Sequence, residues 1–335
     1  MQETLLIPDR YDMLARKAGG VLPRIIVKVD EALDFIDSVY SDMRSAGRGA
    51  FLIFRAESGV GKSTFLNTIS FFRDGIEIQT VPGEQELSGF FRTLPKNSSQ
   101  LRILVLEGRE ALTDFSEADI EKVLHGINGF LRSENGEKTL IAWTCNSDEL
   151  QQKLLELGQR IGGSALLGSY GGLFRFAGPE KEQYLEIARR TVAELNSGIS
   201  LLELGITEEN GRLLAGQANT IGDFMLAVRQ FAAKSKDQLA KLLEKDQFRL
   251  WFFVVAGNEP EGDVATLTRG VSAHADIDRM LNATGANVVR ELQNVRDKVG
   301  TLVNTLDVRL IYVPLTLVNS IQAISKMPEE DNDTT

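Results

Sequence analysis

Three observations predict an α/β fold, a parallel sheet sandwiched by helices. Short apolar runs alternate with segments of helical period, a glycine-rich loop joins the first such run to a helix, and the composition is that of a packed globular chain. The 335 residues are 43% hydrophobic and 25% charged, enough for a sizeable core and about two domains. Lys and Arg number 37 against 47 Asp and Glu, a net charge of −10, so no global field draws the chain to nucleic acid or an anionic membrane. Net charge therefore gives no support to DNA as a partner, which would need a local basic patch. A single cysteine, Cys145, excludes an intramolecular disulfide, and two histidines, His125 and His274, exclude a Cys/His zinc cluster. This usage suits a reducing cytoplasm. Met1–Thr4 lacks the flank of a signal peptide, and the densest apolar run, Leu250 to Gly257, falls far short of the roughly 20 residues of a membrane span.

Taken in order, residues 1–24 form an N-terminal extension. Asp30 to Met43 places Ala32, Leu33, Phe35, Ile36, Val39 and Tyr40 at three- and four-residue spacing, an amphipathic helix broken at Gly47-Arg48-Gly49. Ala50 to Phe54 reads as a strand, and Ser63 to Phe71 resumes the helical period. Further strands are predicted at Ile76 to Val81, Leu101 to Leu106, Thr139 to Cys145 and Leu173 to Phe176, with helices at Glu117 to Leu131, Glu149 to Gln159 and Glu180 to Leu195. Strands alternating with helices imply parallel pairing with both faces covered. This core is expected to span 25–195. Three helical patterns, Glu208 to Ala218, Ile221 to Ala233 and Ser235 to Leu243, predict a helical lid subdomain over 196–245. Residues 246–327 open and close with strands, Leu250 to Val255 and Val308 to Val313, around the helical patterns Ala275 to Leu281, Thr284 to Leu292 and Lys298 to Leu306. That order suggests a small α/β or winged-helix-like domain. His274 is expected at a helix start. Residues 328–335 read as an acidic disordered tail.

The sharpest signal is Ala56-Glu57-Ser58-Gly59-Val60-Gly61-Lys62-Ser63, followed by Thr64, which fits the phosphate-binding loop with Ala at its first position and lies between strand and helix. Backbone N–H groups from Gly59 to Lys62 can wrap a β-phosphate, and the helix N-terminus adds partial positive charge. Lys62 is placed to reach β- and γ-oxygens, and the Ser63 hydroxyl to complete a Mg²⁺ shell. Such a loop needs an acid on a neighbouring strand. Leu101 to Leu106 ends in Glu107, with Glu110 close behind; Glu107 would either coordinate magnesium through water or polarise the attacking water, and Glu110 would take the other role. Asn146 follows another strand to the same sheet edge, where it either bonds water or γ-phosphate or caps the next helix, a role for which Ser147 and Asp148 compete.

Over roughly residues 25–235 this order of parts resembles the AAA+ ATPases and their signal-transducing relatives. The resemblance implies a P-loop NTPase core in which Lys62 and Ser63 are the Walker-A lysine and magnesium serine, Glu107 the Walker-B acid, and Asn146 sensor 1. Arg160 lies where the family keeps an arginine finger for a neighbouring subunit, with Arg175 as competitor. Two positions depart from the pattern. The strand ends in Glu107-Gly108 instead of Asp-Glu, which implies slow or absent hydrolysis, and Phe224 stands where the sensor-2 helix carries an arginine, with Arg229 one turn later. Neither the Leu-Ser-Gly-Gly-Gln signature of transporter ATPases nor the Asn-Lys-x-Asp of GTPases is present; Leu87-Ser88-Gly89-Phe90 lies too early and is incomplete.

ATP and Mg²⁺ are the implied ligands, and the implied function is an ATP-dependent homo-oligomeric switch or motor regulating a partner protein or DNA-acting effector, as in transposition, replication loading or antiphage defence. The alternatives are a weakly hydrolysing scaffold that signals by occupancy and a DNA-binding regulator carrying an ATPase domain. In 246–327, Arg269, Arg279, Arg290, Arg296, Lys298 and Arg309 interleave with Asp276, Asp278, Glu291 and Asp297, the pattern of a solvated mixed-charge face.

Overall fold

The central apolar runs pair side by side because each has both faces to bury. A computed structural model describes residues 5–96, 100–110, 116–243, 251–254, 259–269, 273–282, 287–306 and 308–325. Met1–Thr4, Leu250, Val255, residues 284–286 and the tail 328–335, all named above, lie outside them.

The chain begins with helices α1 (Tyr11–Ala18), α2 (Leu22–Ile25) and α3 (Asp30–Ala46), the last stopped by Gly47 in the left-handed conformation, φ 61°. Strand β1 (Ala50–Arg55) leads through the glycine loop to α4 (Lys62–Thr68), which tightens into a 3-10 turn at Ile69–Phe71. There follow β2 (Ile76–Val81), α5 (Leu87–Thr93), β3 (Leu101–Leu106), α6 (Glu117–Leu131), β4 (Thr139–Cys145), α7 (Asp148–Ile161), α8 (Ser164–Leu167), β5 (Leu173–Arg175) and α9 (Lys181–Leu195). Glu86 caps α5 by accepting from the N–H groups of Ser88 and Gly89, so Leu87-Ser88-Gly89-Phe90 is a helix start. Beyond α9 lie α10 (Glu208–Gln217) and α11 (Ile221–Leu243). The two helices expected in 221–243 are thus one, because no residue between Ala233 and Ser235 breaks the backbone ladder.

The five strands form one parallel sheet in the order β2-β3-β4-β1-β5. Successive residues face opposite layers. Phe51, Ile53, Leu104, Leu106, Ile141 and Trp143 pack against α5, α6 and α7, whereas Leu52, Phe54, Ile103, Val105, Leu140 and Ala142 pack against α3 and α4. β1, β3 and β4 are buried along their whole length, which explains why their sequences are mostly apolar on both faces, with Arg55, Arg102, Thr139 and Thr144 as the buried polar exceptions. The architecture is α/β, consistent with a Rossmann-like or P-loop-type fold.

Two compact units divide the chain: Pro8–Ile187 with Ala215–Leu226, and Met1–Ile7 with Ala188–Leu214 and Ala227–Thr335. This division is discontinuous in sequence, unlike the continuous segments expected above. The second unit contains β6 (Trp251–Val254), α12 (Pro260–Leu267), β7 (Thr268–Arg269), β8 (His274–Ala275), α13 (Ile277–Asn282), α14 (Asn287–Gln293), α15 (Arg296–Thr305), β9 (Arg309–Tyr312) and α16 (Leu315–Ser325). Its sheet runs β6-β9-β8-β7, with β6 and β9 parallel and the other pairs antiparallel. His274 lies in β8, not at a helix start, because it pairs with both Arg269 and Arg309 across the ladder. A small core of Val264, Ala275, Ile277, Leu281, Val303, Val308 and Leu310 holds this sheet to its helices. Glu203, 2% exposed, is ion-paired with Arg269 inside the same unit and accepts from the Ser200 N–H at 2.7 Å. Among the described residues no helix is long and apolar enough to cross a membrane.

Candidate functional site

The carboxyl ends of β1, β3 and β4 open on one edge, where open parallel sheets place their ligands. The backbone leaves β1 after Arg55, and the Ala56 N–H is held by the Cys145 carbonyl of β4 at 2.9 Å. Gly59 and Gly61 then take φ of 87° and 99°, values that side chains rarely adopt. A Cβ on Gly59 would come within 2.8 Å of Thr220 Oγ1, and the Gly59 carbonyl accepts from the Gly222 N–H at 2.9 Å. The first turn of α11 thereby closes one side of the loop. Gly61 is the N-cap of α4 and has no side chain, so the cap position offers the first N–H groups, which lack intrahelical acceptors, no side-chain oxygen.

Lys62 is 9% exposed, and no ion pair among the described residues includes it. Burial lowers its pKa, opposed chiefly by the field of Glu110, then by Cys145 and Glu107. Arg55, at the end of β1, is also buried but is paired with Asp148 at 3.1 Å and Glu57 at 2.9 Å. Burial raises the Cys145 thiol's pKa and leaves it protonated beside these cations.

The two glutamates have different surroundings. Glu107 Oε1 accepts from Asn67 Nδ2 at 3.2 Å, and the same Nδ2 donates to the Ser63 carbonyl at 2.9 Å, so Glu107 sits on the Ser63 side of the edge. Glu110 Oε1 accepts from the Gly108 N–H at 3.0 Å and from Thr144 Oγ1 at 3.2 Å, while its own carbonyl accepts from the Asn146 N–H at 3.2 Å. Glu110 therefore belongs to the β4 side with Asn146. Ser147, not Asn146, caps α7, accepting from the Leu150 N–H at 3.3 Å, which leaves the Asn146 carboxamide to the edge.

Lys62, Ser63, Glu107, Glu110 and Asn146 thus share one edge of the sheet. Arg160 does not join them in its own chain. It lies twelve positions along α7 from Asp148, about 18 Å of helix away, where it pairs with Glu121 at 3.0 Å and Glu117 at 3.8 Å. Arg175, by contrast, is exposed at the carboxyl end of β5, in register with Arg55. Phe224 is fully buried against Tyr184, ring centroids 5.6 Å apart, and Arg229 donates to the Ile7 carbonyl.

Several neighbours carried no signal in the sequence. Arg10 Nη1 donates to Ser58 Oγ of the loop at 3.2 Å, and the pKa of Tyr11 is raised by burial and by the charge of Glu107. Both come from the N-terminal extension, where no motif marks them. Asn67 was findable, since it lies one helical turn after Ser63 on the same face.

A divalent cation of the magnesium type is compatible with this donor set. Among the described residues no three His, Cys, Asp or Glu side chains cluster as a closed metal cage. A hydroxyl and one carboxylate are protein ligands that Mg²⁺ accepts when oxygens of a bound ligand and water complete its shell. The edge is distinct from a groove of about 450 Å³ lined by Tyr40, Met43, Arg44, Gln100, Glu137 and Lys138, which lies at the opposite ends of the strands.

No protein family and no curated protein matches the chain. One solved structure that does match is described as the crystal structure of Rif2 in complex with the C-terminal domain of Rap1; identity is 11%, the TM-score 0.32, and the match covers 65% of this chain and 90% of that one. A likeness of that size carries no argument about fold or function.

Proposed function

We propose that the chain is an ATP-binding P-loop ATPase of the AAA+-like type, working as a homo-oligomeric cytoplasmic switch or motor on a partner protein or DNA-acting effector. The observation that carries this reading is Lys62: a buried ammonium without an ion pair among the described residues, at an uncapped helix N-terminus, after two positive-φ glycines and within the field of two carboxylates. An unpaired buried charge is costly, and a phosphate is the partner that the surrounding N–H groups also suit. Bound Mg²⁺·ATP would supply the phosphoryl group and neutralise its developing charge.

The chain's own residues then divide the work. Backbone N–H groups of 59–63 and the Lys62 ammonium hold phosphate oxygens, and the Ser63 hydroxyl with Glu107 holds the metal. Glu110, on the Asn146 side, takes the water-polarising role, with the Asn146 carboxamide orienting that water. Arg160 or Arg175 reaches a neighbouring subunit's nucleotide, residues 196–245 act as the lid, and 246–327 engages the partner.

Phosphate release from ATP with Mg²⁺ tests this, comparing the intact chain with Lys62→Ala while protein concentration is raised. A lysine-dependent rate whose specific value climbs with concentration is expected. Equal rates in the two proteins, or no ATP binding to either, would overturn it. A weakly hydrolysing scaffold is the second reading, favoured by Glu110, whose Oε1 is already engaged by Gly108 and Thr144. Retained ATP binding without turnover would select it.

A further inference from the structure

Asn67 is the hub of three hydrogen bonds that meet beside the loop. Thr80 Oγ1 of β2 donates to its Oδ1 at 2.6 Å, and its Nδ2 donates both to the Ser63 carbonyl at 2.9 Å and to Glu107 Oε1 at 3.2 Å. The amide has one tenable orientation. Turned over, its oxygen would face a carbonyl and a carboxylate, two acceptors, and its NH₂ would have only the hydroxyl of Thr80. The threonine thus fixes which end of the amide faces Glu107.

Ordinary helix stability does not need this arrangement. The buried Phe65, Leu66 and Thr68 side chains already tie α4 into the core, and Thr80 is exposed. What the hub adds is a fixed place for one carboxylate oxygen. With Oε1 occupied, Glu107 Oε2 has no hydrogen bond among the described residues. Carboxylates that hold metals are commonly fixed in this way by a donor behind them.

We propose that Asn67, oriented by Thr80, is the positioning residue of the nucleotide site, holding the Glu107 carboxylate beside Ser63 for a divalent cation. The proposal rests on the phosphate-loop reading given above and adds a residue and a direction of action to it. Asn67 touches neither phosphate nor metal; it acts through Glu107. Losing it leaves the phosphate cradle whole and loosens one metal ligand, so its effect is confined to the cation.

Binding of mant-ATP to the full chain, titrated with Mg²⁺ and repeated in EDTA, separates the two contributions. Asn67→Ala is expected to raise the Mg²⁺ concentration for half-maximal tight binding on the order of tenfold, the usual effect of removing a donor behind a metal ligand. Its affinity in EDTA is expected to equal that of the wild type. Thr80→Val, an exposed change that leaves the core intact, shifts the midpoint the same way by less. In a Glu107→Gln background Asn67→Ala adds nothing, because the carboxylate it positions is gone.

An unmoved Mg²⁺ midpoint in both Asn67→Ala and Thr80→Val, or a full shift that persists in Glu107→Gln, overturns the positioning role. If Lys62→Ala abolishes binding while those midpoints stay put, the phosphate-loop reading stands and this proposal alone fails. If the wild type binds no mant-ATP with or without Mg²⁺, the loop reading fails and the proposal falls with it.

Discussion

Replacing Lys62 by Met keeps the length and apolar stem of the side chain and removes only the charge. In the folded chain Lys62 is 9% exposed, and its burial together with the repulsion of Arg55 outweighs the attraction of Glu110 and Glu107. Relieving it is worth on the order of 1 kcal/mol once the opposing carboxylates are subtracted. For a cooperative unit of about 150–250 residues that corresponds to a rise in Tm of about 2–4 °C at pH 7 without nucleotide. The pH dependence has a definite sign. Burial lowers the pKa below the ordinary 10.5, so between the lowered value and 10.5 the folded chain binds fewer protons than the unfolded one. The cost of the buried charge is full below that window, shrinks as pH rises through it and is gone above it. The advantage of Lys62→Met therefore fades in alkali. Adding Mg²⁺·ATP reverses the order, since ligand at a hundred times its Kd stabilises the wild type by about 2.7 kcal/mol and a cradle without its lysine by much less. Thermal melting over a pH series, with and without nucleotide, reads all three effects. A Lys62→Met chain that melts below the wild type at pH 7 without nucleotide, or an advantage that grows with pH, would refute the reasoning.

Gly61→Ala meets only Ile221 Cγ2, at 3.6 Å, and costs the left-handed backbone penalty of roughly 1–2 kcal/mol, whereas Gly59→Ala adds a clash with Thr220 Oγ1 at 2.8 Å. Urea midpoints should rank wild type, then Gly61→Ala, then Gly59→Ala; equal midpoints would contradict the packing of 220–222 on the loop. Glu203→Gln removes the buried carboxylate that pairs with the partly exposed Arg269 and should cost about 3 kcal/mol, the low end for a buried pair, in chemical denaturation; a change below about 1 kcal/mol would mean that the pair is solvated. Arg160→Ala removes exposed ion pairs only, so its stability in chemical denaturation should change by less than about 1 kcal/mol, the range of surface pairs. If Arg160 acts on a neighbour's nucleotide, mixing Arg160→Ala with Lys62→Ala restores part of the turnover that each lacks alone; no restoration with both folded would assign it to its own surface.

Local pattern made the sheet legible. Runs such as Leu101 to Leu106 are apolar on both faces because helices cover both, and that signature needs no knowledge of partners. The glycine loop was equally plain, since a strand, two glycines, Lys62 and Ser63 fix their own backbone conformation. Helix continuity was less so: the pattern across Ala233 to Ser235 weakens without a breaker, and α11 continues through it. The short strands β7 and β8, two residues each, are too brief to show a period, and His274 was misplaced for that reason.

The α/β class, the strands of the five-stranded sheet and the glycine-rich strand–loop–helix were legible in the sequence, because these follow from period and from backbone conformation over a few residues. Tertiary structure decided the strand order β2-β3-β4-β1-β5, which sets β4 between the loop strand and the strand of Glu107 and so brings Asn146 to the same edge. It also decided which glutamate stands beside Ser63, that Ser147 and not Asn146 caps α7, and that Arg10, Tyr11 and Thr220 border the loop. The strand order and the contacts of Glu107 with Asn67, Glu110 with Thr144 and Arg10 with Ser58 join residues far apart in the chain, so no local pattern encodes them, whereas the Ser147 cap is a local contact that the sequence left shared among three candidates.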